Sequence, residues 1–371
     1  MRRLKEILYD LKPKKLDWYI IKKFLGTYFF AILLILMVAV VFDISEKISD
    51  FIDKSAPLKE IVFQYYVNFL PYFAILFSSL FTFISVVFFT SKLASNTEIV
   101  AILSSGISFR RFLWPYFIAA FFITIYTLVM YDFIIPEANK VRLQFEERYL
   151  HDGPKWYGNR NTHKQLEPGL FVFLETYSTY TNTGYKFTLE RFENGQLKSK
   201  LSADYIYWDS TKAKWNIKNY HVRHIQPFGD TIIRGQTLDT SIALTPADFA
   251  RRSNAMEAMN HNELKEYIEE LQLQGAEDIK IYYIEKYKRI ALPISTLILT
   301  LIAVVISSRK VRGGLGVHLS MGFGLCFSYI LFMQISTQFA IGGSMNALLA
   351  VWLPNIVFTL IAVYLYRKAP K

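Results

Sequence analysis

Thr90-Ser-Lys-Leu-Ala-Ser-Asn-Thr-Glu-Ile-Val-Ala-Ile-Leu-Ser-Ser-Gly-Ile-Ser-Phe-Arg-Arg111 lies between two long apolar runs. It is too polar for lipid and too short for a domain. Its punctuation is that of one helix over about 95–106. Ser95 with Glu98 three places on has the spacing of a capping box, in which each side chain satisfies a free N–H of the first turn. Ile99, Ile102 and Leu103 recur at helical spacing, and Gly106 is placed to end the helix in the left-handed region. A short amphipathic helix between two apolar runs needs a surface to press its stripe against.

Outward from it, the apolar residues form six runs: Phe24–Phe42, Ile61–Phe89, Phe112–Ile135, Ile290–Ile306, Leu315–Ile341 and Leu348–Tyr366. The first, as a helix, covers ~28 Å and matches the hydrocarbon thickness of a bilayer. The lead-in is too long and basic for a cleaved signal, and no small-residue cleavage site follows the run. The expected class is therefore a membrane α-helical protein of six spans, three plus three. Between the halves the pattern changes to a β domain, giving divisions at 1–136, 137–255 and 256–371.

Lysine and arginine cluster before span one (Arg2, Arg3, Lys5, Lys12, Lys14, Lys15, Lys22, Lys23) and around 90–111 (Lys92, Arg110, Arg111). They cluster again between spans four and five (Arg309, Lys310, Arg312) and at the end (Arg367, Lys368, Lys371). With six spans all four clusters fall on one side, which the positive-inside rule makes cytoplasmic, together with both termini and the 90–111 helix. The net charge of +11 records this asymmetry and contact with anionic lipids, and gives no reason to expect a nucleic-acid partner. Cys326 is the only cysteine, so no internal disulfide forms.

Asp43–Lys54 continues span one on the far side, with Lys47 and Lys54 near the outer headgroups. Two readings stand: contact with an anionic lipid head, or snorkelling beside Glu46, Asp50 and Asp53. Pro71 is expected to kink span two. No acid or histidine sits at mid-depth (Asp132 is at an outer end, His318 near a cytoplasmic one), which argues against a proton-driven carrier.

Residues 169–178, 185–192, 198–208 and 215–225 have partial period-two alternation, with turns at Glu193-Asn-Gly-Gln, Asp209-Ser-Thr-Lys and Pro227-Phe-Gly-Asp. This predicts an antiparallel sandwich or jelly roll. His221 and His224 would point to opposite faces of a strand, a weak metal signal. Tyr205, Tyr207, Trp208 and Trp215 read as sheet packing. Asn262 to Gly275 reads as an amphipathic helix capped by Asn262, with Leu264, Tyr267, Ile268 and Leu271 on its face. The sequence holds no phosphate loop, no His-Glu-x-x-His, no Gly-x-Ser-x-Gly and no paired-cysteine spacing, and nothing calls for a cofactor. An energy source would have to be a partner.

Three spans, a β insert and three spans, with Ser95-Asn-Thr-Glu-Ile-Val-Ala-Ile-Leu-Ser-Ser-Gly-Ile-Ser, the Glu263-Leu-Lys-Glu-Tyr-Ile helix and Tyr287-Lys-Arg-Ile-Ala-Leu-Pro-Ile, resemble the lipopolysaccharide-export permeases of the LptF/LptG (YjgP/YjgQ) family. The resemblance implies a non-catalytic inner-membrane subunit paired with a second permease of this type on a cytoplasmic ABC ATPase dimer. It makes 90–111 the coupling helix, with Ser95, Glu98, Ile99, Ile102, Leu103 and Gly106 at the ATPase, and Glu98 paired with a base there. It implies that lipopolysaccharide enters between spans one and five and passes through a periplasmic jelly roll to a bridge protein. Lys47 and Lys54 are the positions it offers for lipid phosphates. Glu98 thus has two readings, a capping partner or an intermolecular ion pair. Two other functions stay open: an ABC-type permease for a different lipid or glycolipid, and a membrane scaffold docking envelope proteins.

Overall fold

Membrane helices form because a chain in lipid must satisfy its own backbone hydrogen bonds, and among the described residues six helices are long and apolar enough to cross a bilayer. The computed structural model describes residues 14–150, 162–178, 181–242, 244–246, 253–273, 275, 279–309 and 314–369. Arg2, Arg3, Lys5, Lys12, Lys310, Arg312 and Lys371, named above, lie outside them. The chain divides into two compact units, 1–145 with 280–371, and 146–279.

In the first unit, α1 runs Lys15–Asp53. α2 (Val67–Leu76) follows a π-helical stretch at Ile61–Tyr66, and α3 (Ser78–Ser95) continues it after a break at Phe77. Pro71 lies inside α2 without ending it. α4 (Glu98–Ser104) is short. α5 (Phe109–Val129) and α6 (Ile135–Tyr149) form one rod through a π-helical turn at Met130–Ile134. α8 (Ile279–Ser307), α9 (Gly314–Ile341) and α10 (Ala347–Arg367) complete it.

One turn of α8 fastens this unit. The Asn355 amide of α10 donates to the Ala291 carbonyl (2.9 Å), the Ser79 hydroxyl of α3 to that of Leu292 (3.2 Å), and the Thr124 hydroxyl of α5 to that of Pro293 (3.2 Å). Tyr329 of α9 donates to Asn355 Oδ1 (2.9 Å), so five helices meet within a few residues of Pro293. Such interhelical bonds hold helices together where lipid supplies no hydrophobic drive.

α1 is attached differently. Ile20, Ile21, Phe24, Tyr28 and Ile32 are buried, and the next buried residue is Phe51. Between them Leu33, Leu34, Met37, Val38, Val41 and Phe42 are exposed. Of the six spans it is the least covered by the rest of the chain.

The second unit carries β1 (Thr162–Glu167), β2 (Leu170–Leu174), β3 (Thr176–Ser178), β4 (Thr183–Glu193), β5 (Gln196–Asp209), β6 (Lys214–His224) and β7 (Thr231–Thr240). They make one antiparallel sheet in the order β1-β2-β4-β5-β6-β7, with β3 also on β4. The insert is all-β as expected. Among the described residues it is an up-and-down meander without the Greek-key crossover of a jelly roll.

The sheet closes on a core by changing face part-way along. Inward residues are Val172 and Leu174 and then Tyr177; Leu201 and Ala203 and then Ile206; Trp215 and Ile217 and then Tyr220. The switch lies on one line across the strands, where Lys186 (φ 54°) and Asn219 (φ 50°) take left-handed conformations. Extra left-handed residues of this kind bend a strand and re-aim its side chains. Trp215 anchors the core, its indole N–H donating to the Leu244 carbonyl at 2.8 Å.

Helix α7 (His261–Leu273) buries Leu264, Ile268 and Leu271 as its spacing predicts, and Gly275 (φ 64°) follows it. Its cap differs from expectation. Asn260, not Asn262, forms the capping box: its side chain accepts from Glu263 N–H and Glu263 accepts from Asn260 N–H, both at 2.9 Å. Asn260 stands three places before Glu263 and so has the reciprocal partner that Asn262 lacks.

Candidate functional site

The polar stretch between α3 and α5 is a turn, a two-turn helix and a second turn. α3 runs through Ser95, Thr97 takes a left-handed conformation (φ 63°), and α4 begins at Glu98. Ser105 and Gly106 (φ 89°) close it, Gly106 N–H bonding the Leu103 carbonyl at 3.1 Å. Gly106 does what its position suggests. Ser108 then caps α5, its hydroxyl accepting from Arg111 N–H at 3.3 Å.

The Ser95–Glu98 capping box is absent. Ser95 still belongs to α3, and its hydroxyl donates to the Lys92 carbonyl (3.0 Å), the acceptor nearest a serine in a last helical turn. A box also needs an extended cap residue, whereas Thr97 is left-handed and no side chain caps α4. Glu98 accepts instead from the Asn96 amide (3.1 Å) and, across to α1, from the Tyr19 phenol (3.4 Å).

The apolar stripe also resolves differently. Ile99 is 2% exposed, and Ile102 and Leu103 are half-buried against the same membrane core. The chain's own helices cover the face that sequence offered to a partner. The outward face is Val100, 59% exposed, with Ala101, Ser104 and Ser105. The residues that meet solvent here are small or weakly apolar, which periodicity marks only as the side away from the stripe.

Both ends of the stretch are tied to α1. Tyr19 reaches Glu98 at the start. At the end, Arg111 presents its two terminal nitrogens to Asp17 Oδ1 and Oδ2 at 2.7 and 2.6 Å, and Lys14 N–H donates to Oδ2 at 2.6 Å. Asp17 is 2% exposed. Neither Asp17 nor Tyr19 stood out in the sequence, and Arg111 registered only as a topological charge. Partners 94 residues apart leave no local signal. Next to this stretch, Phe109 meets Tyr366 of α10 at 6.4 Å between ring centres, and Arg309 bonds the Lys368 carbonyl. Thus the 96–108 stretch, Arg309 just past the end of α8 and the last turn of α10 share one end of the bundle.

Lys47 sits at the other end of α1 with a partner already in place. Its ammonium bonds the Asp43 carboxylate (2.6 Å) and the Tyr65 phenol, and Tyr66 donates to the other Asp43 oxygen at 3.1 Å. Lys54 is two turns on, half-buried just past the end of α1.

Over residues 18–368 the sequence matches the profile described as lipopolysaccharide export system permease LptF/LptG. The chain belongs to the LptF/LptG family. Comparison with curated individual proteins gives no match. The permease match covers both membrane halves and the sheet, so Tyr19, Lys47, Glu98 and Arg111 lie within it, and Asp17 lies one residue before it. Together with six apolar helices it makes the chain a multi-pass membrane protein of a permease family, not a catalytic one.

Proposed function

We infer that the chain is a transmembrane permease subunit of an ATP-driven complex that extracts lipopolysaccharide from the inner membrane and passes it to a periplasmic bridge. The observation that carries the reading is α4: a helix between two spans whose apolar face is spent inside the bundle and whose small-residue face is bare. With no phosphate loop in the chain, that face is where an ABC ATPase dimer would grip. Val100, Ala101 and Ser104 then make the contact, Ile99, Ile102 and Leu103 hold the helix from behind, and Glu98 presents its edge. Ser95 closes α3 ahead of the contact, and Thr97 and Gly106 set where α4 begins and ends.

Basic residues at this end (Lys92, Arg110, Arg309, Arg367) support a cytoplasmic orientation for it and for both termini, with the β unit in the periplasm. A second permease of the same family completes the membrane part. The sheet, with an apolar interior and two strand edges, is suited to pass acyl chains on and to meet a β-rich bridge. Lys47 engages a lipid phosphate only by sharing Asp43, and Lys54, just past the end of α1, is the second cation on that side.

Depletion of the chain should strand lipopolysaccharide in the inner membrane, and the tagged chain should co-purify with an ATPase and a second permease. Normal outer-membrane lipopolysaccharide after depletion would sink the reading. Co-purification without any ATPase would turn it toward the scaffold.

A further inference from the structure

The function of α4 as a grip leaves open how its movement reaches the rest of the bundle. Asp17 and Arg111 occupy the same place in two helices, the third residue of the first turn of α1 and of α5. An acid suits that place, because the helix N-terminus carries partial positive charge; an arginine does not. Arg111 is thus poorly placed for its own helix and well placed for Asp17, whose two oxygens take its terminal nitrogens in parallel. Such a forked pair fixes direction as well as distance, which a single point charge cannot.

The second tie, Tyr19 to Glu98, arises two residues further along α1. One turn of α1 therefore holds both ends of the 96–108 stretch. Beyond Ile32 the same helix has no buried residue until Phe51. A helix fastened at its base to the gripped segment, and bare along its middle, is one whose middle moves when its base is turned.

We propose that the Asp17–Arg111 pair, seconded by Tyr19–Glu98, is the link that transmits displacement of the α4 segment to α1. Asp17 and Arg111 are positioning residues that touch neither nucleotide nor lipid. The proposal rests on the reading of α4 as the site an ATPase grips.

The test uses the full chain assembled with its partner permease and ATPase in vesicles containing lipopolysaccharide. It reads ATPase co-purification, ATP hydrolysis and lipid released per ATP hydrolysed. Arg111→Lys keeps the charge and loses the fork. It is expected to retain the ATPase at wild-type level and hydrolyse ATP, while lipid released per ATP falls about tenfold, within the usual span of coupling between sites. Asp17→Arg and Arg111→Asp should each fall at least as far, and the double exchange should recover part of the loss. Should a charge-reversed single variant fail to insert, Asp17→Cys with Arg111→Cys replaces it, read before and after joining by a short bis-thiol reagent, with recovery expected on joining. A wild-type lipid-per-ATP ratio in Arg111→Lys, or equal ratios in the joined and unjoined cysteine pair, overturns the link. So does loss of the ATPase from Arg111→Lys, which would make the pair part of docking. Failure of the wild-type chain to hold any ATPase defeats the parent reading instead, and is seen before any variant is made.

Discussion

Lys186 of β4 and Asn219 of β6 stand on either side of Asp204 of β5, and both adopt left-handed backbone conformations. Asn219 Nδ2 donates to Asp204 Oδ2 at 3.1 Å, and Lys186 Nζ lies 3.9 Å from Oδ1. The carboxylate thus bridges two bends on neighbouring strands, and the bends let both limbs of the sheet line one core.

Asn219 tolerates this conformation where a β-branched residue does not. Asn219→Val should destabilise the β unit by about 1–2 kcal/mol, and Asn219→Gly by far less. Protease sensitivity of the sheet in the full chain measures the difference. Equal resistance of the two variants would show that the bend is not held at Asn219.

At Pro293 the expectation concerns a buried pair. Asn355→Leu removes the acceptor of the Tyr329 phenol and the donor to the Ala291 carbonyl, at a cost of about 1–2 kcal/mol. Adding Tyr329→Phe should restore part of that, since the orphaned phenol is then gone. Thermal unfolding in detergent, followed by aggregation, reports both. A double variant no better than the single would place the cost at Ala291.

On α4, two adjacent apolar residues should behave oppositely. Val100→Arg alters only the exposed face, so the protein should insert and fold normally but lose co-purifying ATPase. Ile99→Arg buries an unpaired charge and should lower yield of folded protein, by ~3 kcal/mol or more. If Val100→Arg holds the ATPase as wild type does, the grip lies elsewhere.

Lys47 and Asp43 separate two roles for one cation. Asp43→Asn frees the ammonium and should keep or increase bound lipopolysaccharide, whereas Lys47→Gln should reduce it. Quantifying lipid in the purified complex decides this. Equal lipid in both variants would leave Lys47 a purely structural partner of Asp43 and Tyr65.

The spans were legible because lipid imposes one rule, length and apolarity, on every residue of a run. The strands were legible only in part, and the face switch at Lys186, Asp204 and Asn219 is the reason. Alternation restarts there with opposite parity, so Ala203 and Ile206 both point inward although they are three apart. α4 shows a second limit. Spacing picks out Ile99, Ile102 and Leu103 as one stripe, and the same stripe fits a partner's groove or the chain's own bundle. Glu98 was read from neighbours three residues away, but its geometry is set by Thr97 φ and by Tyr19, 79 positions distant. Asp17 and Arg111 become a pair only once α1 and α5 stand side by side.

The lipid-facing stretch of α1 between Leu33 and Phe42 also governs how the protein is best handled outside the cell. A span with so few protein neighbours takes its solvation from whatever amphiphile surrounds it. Detergents that strip annular lipid will loosen this helix before the five joined near Pro293. Nanodiscs or native-lipid polymers should preserve an arrangement that micelles do not.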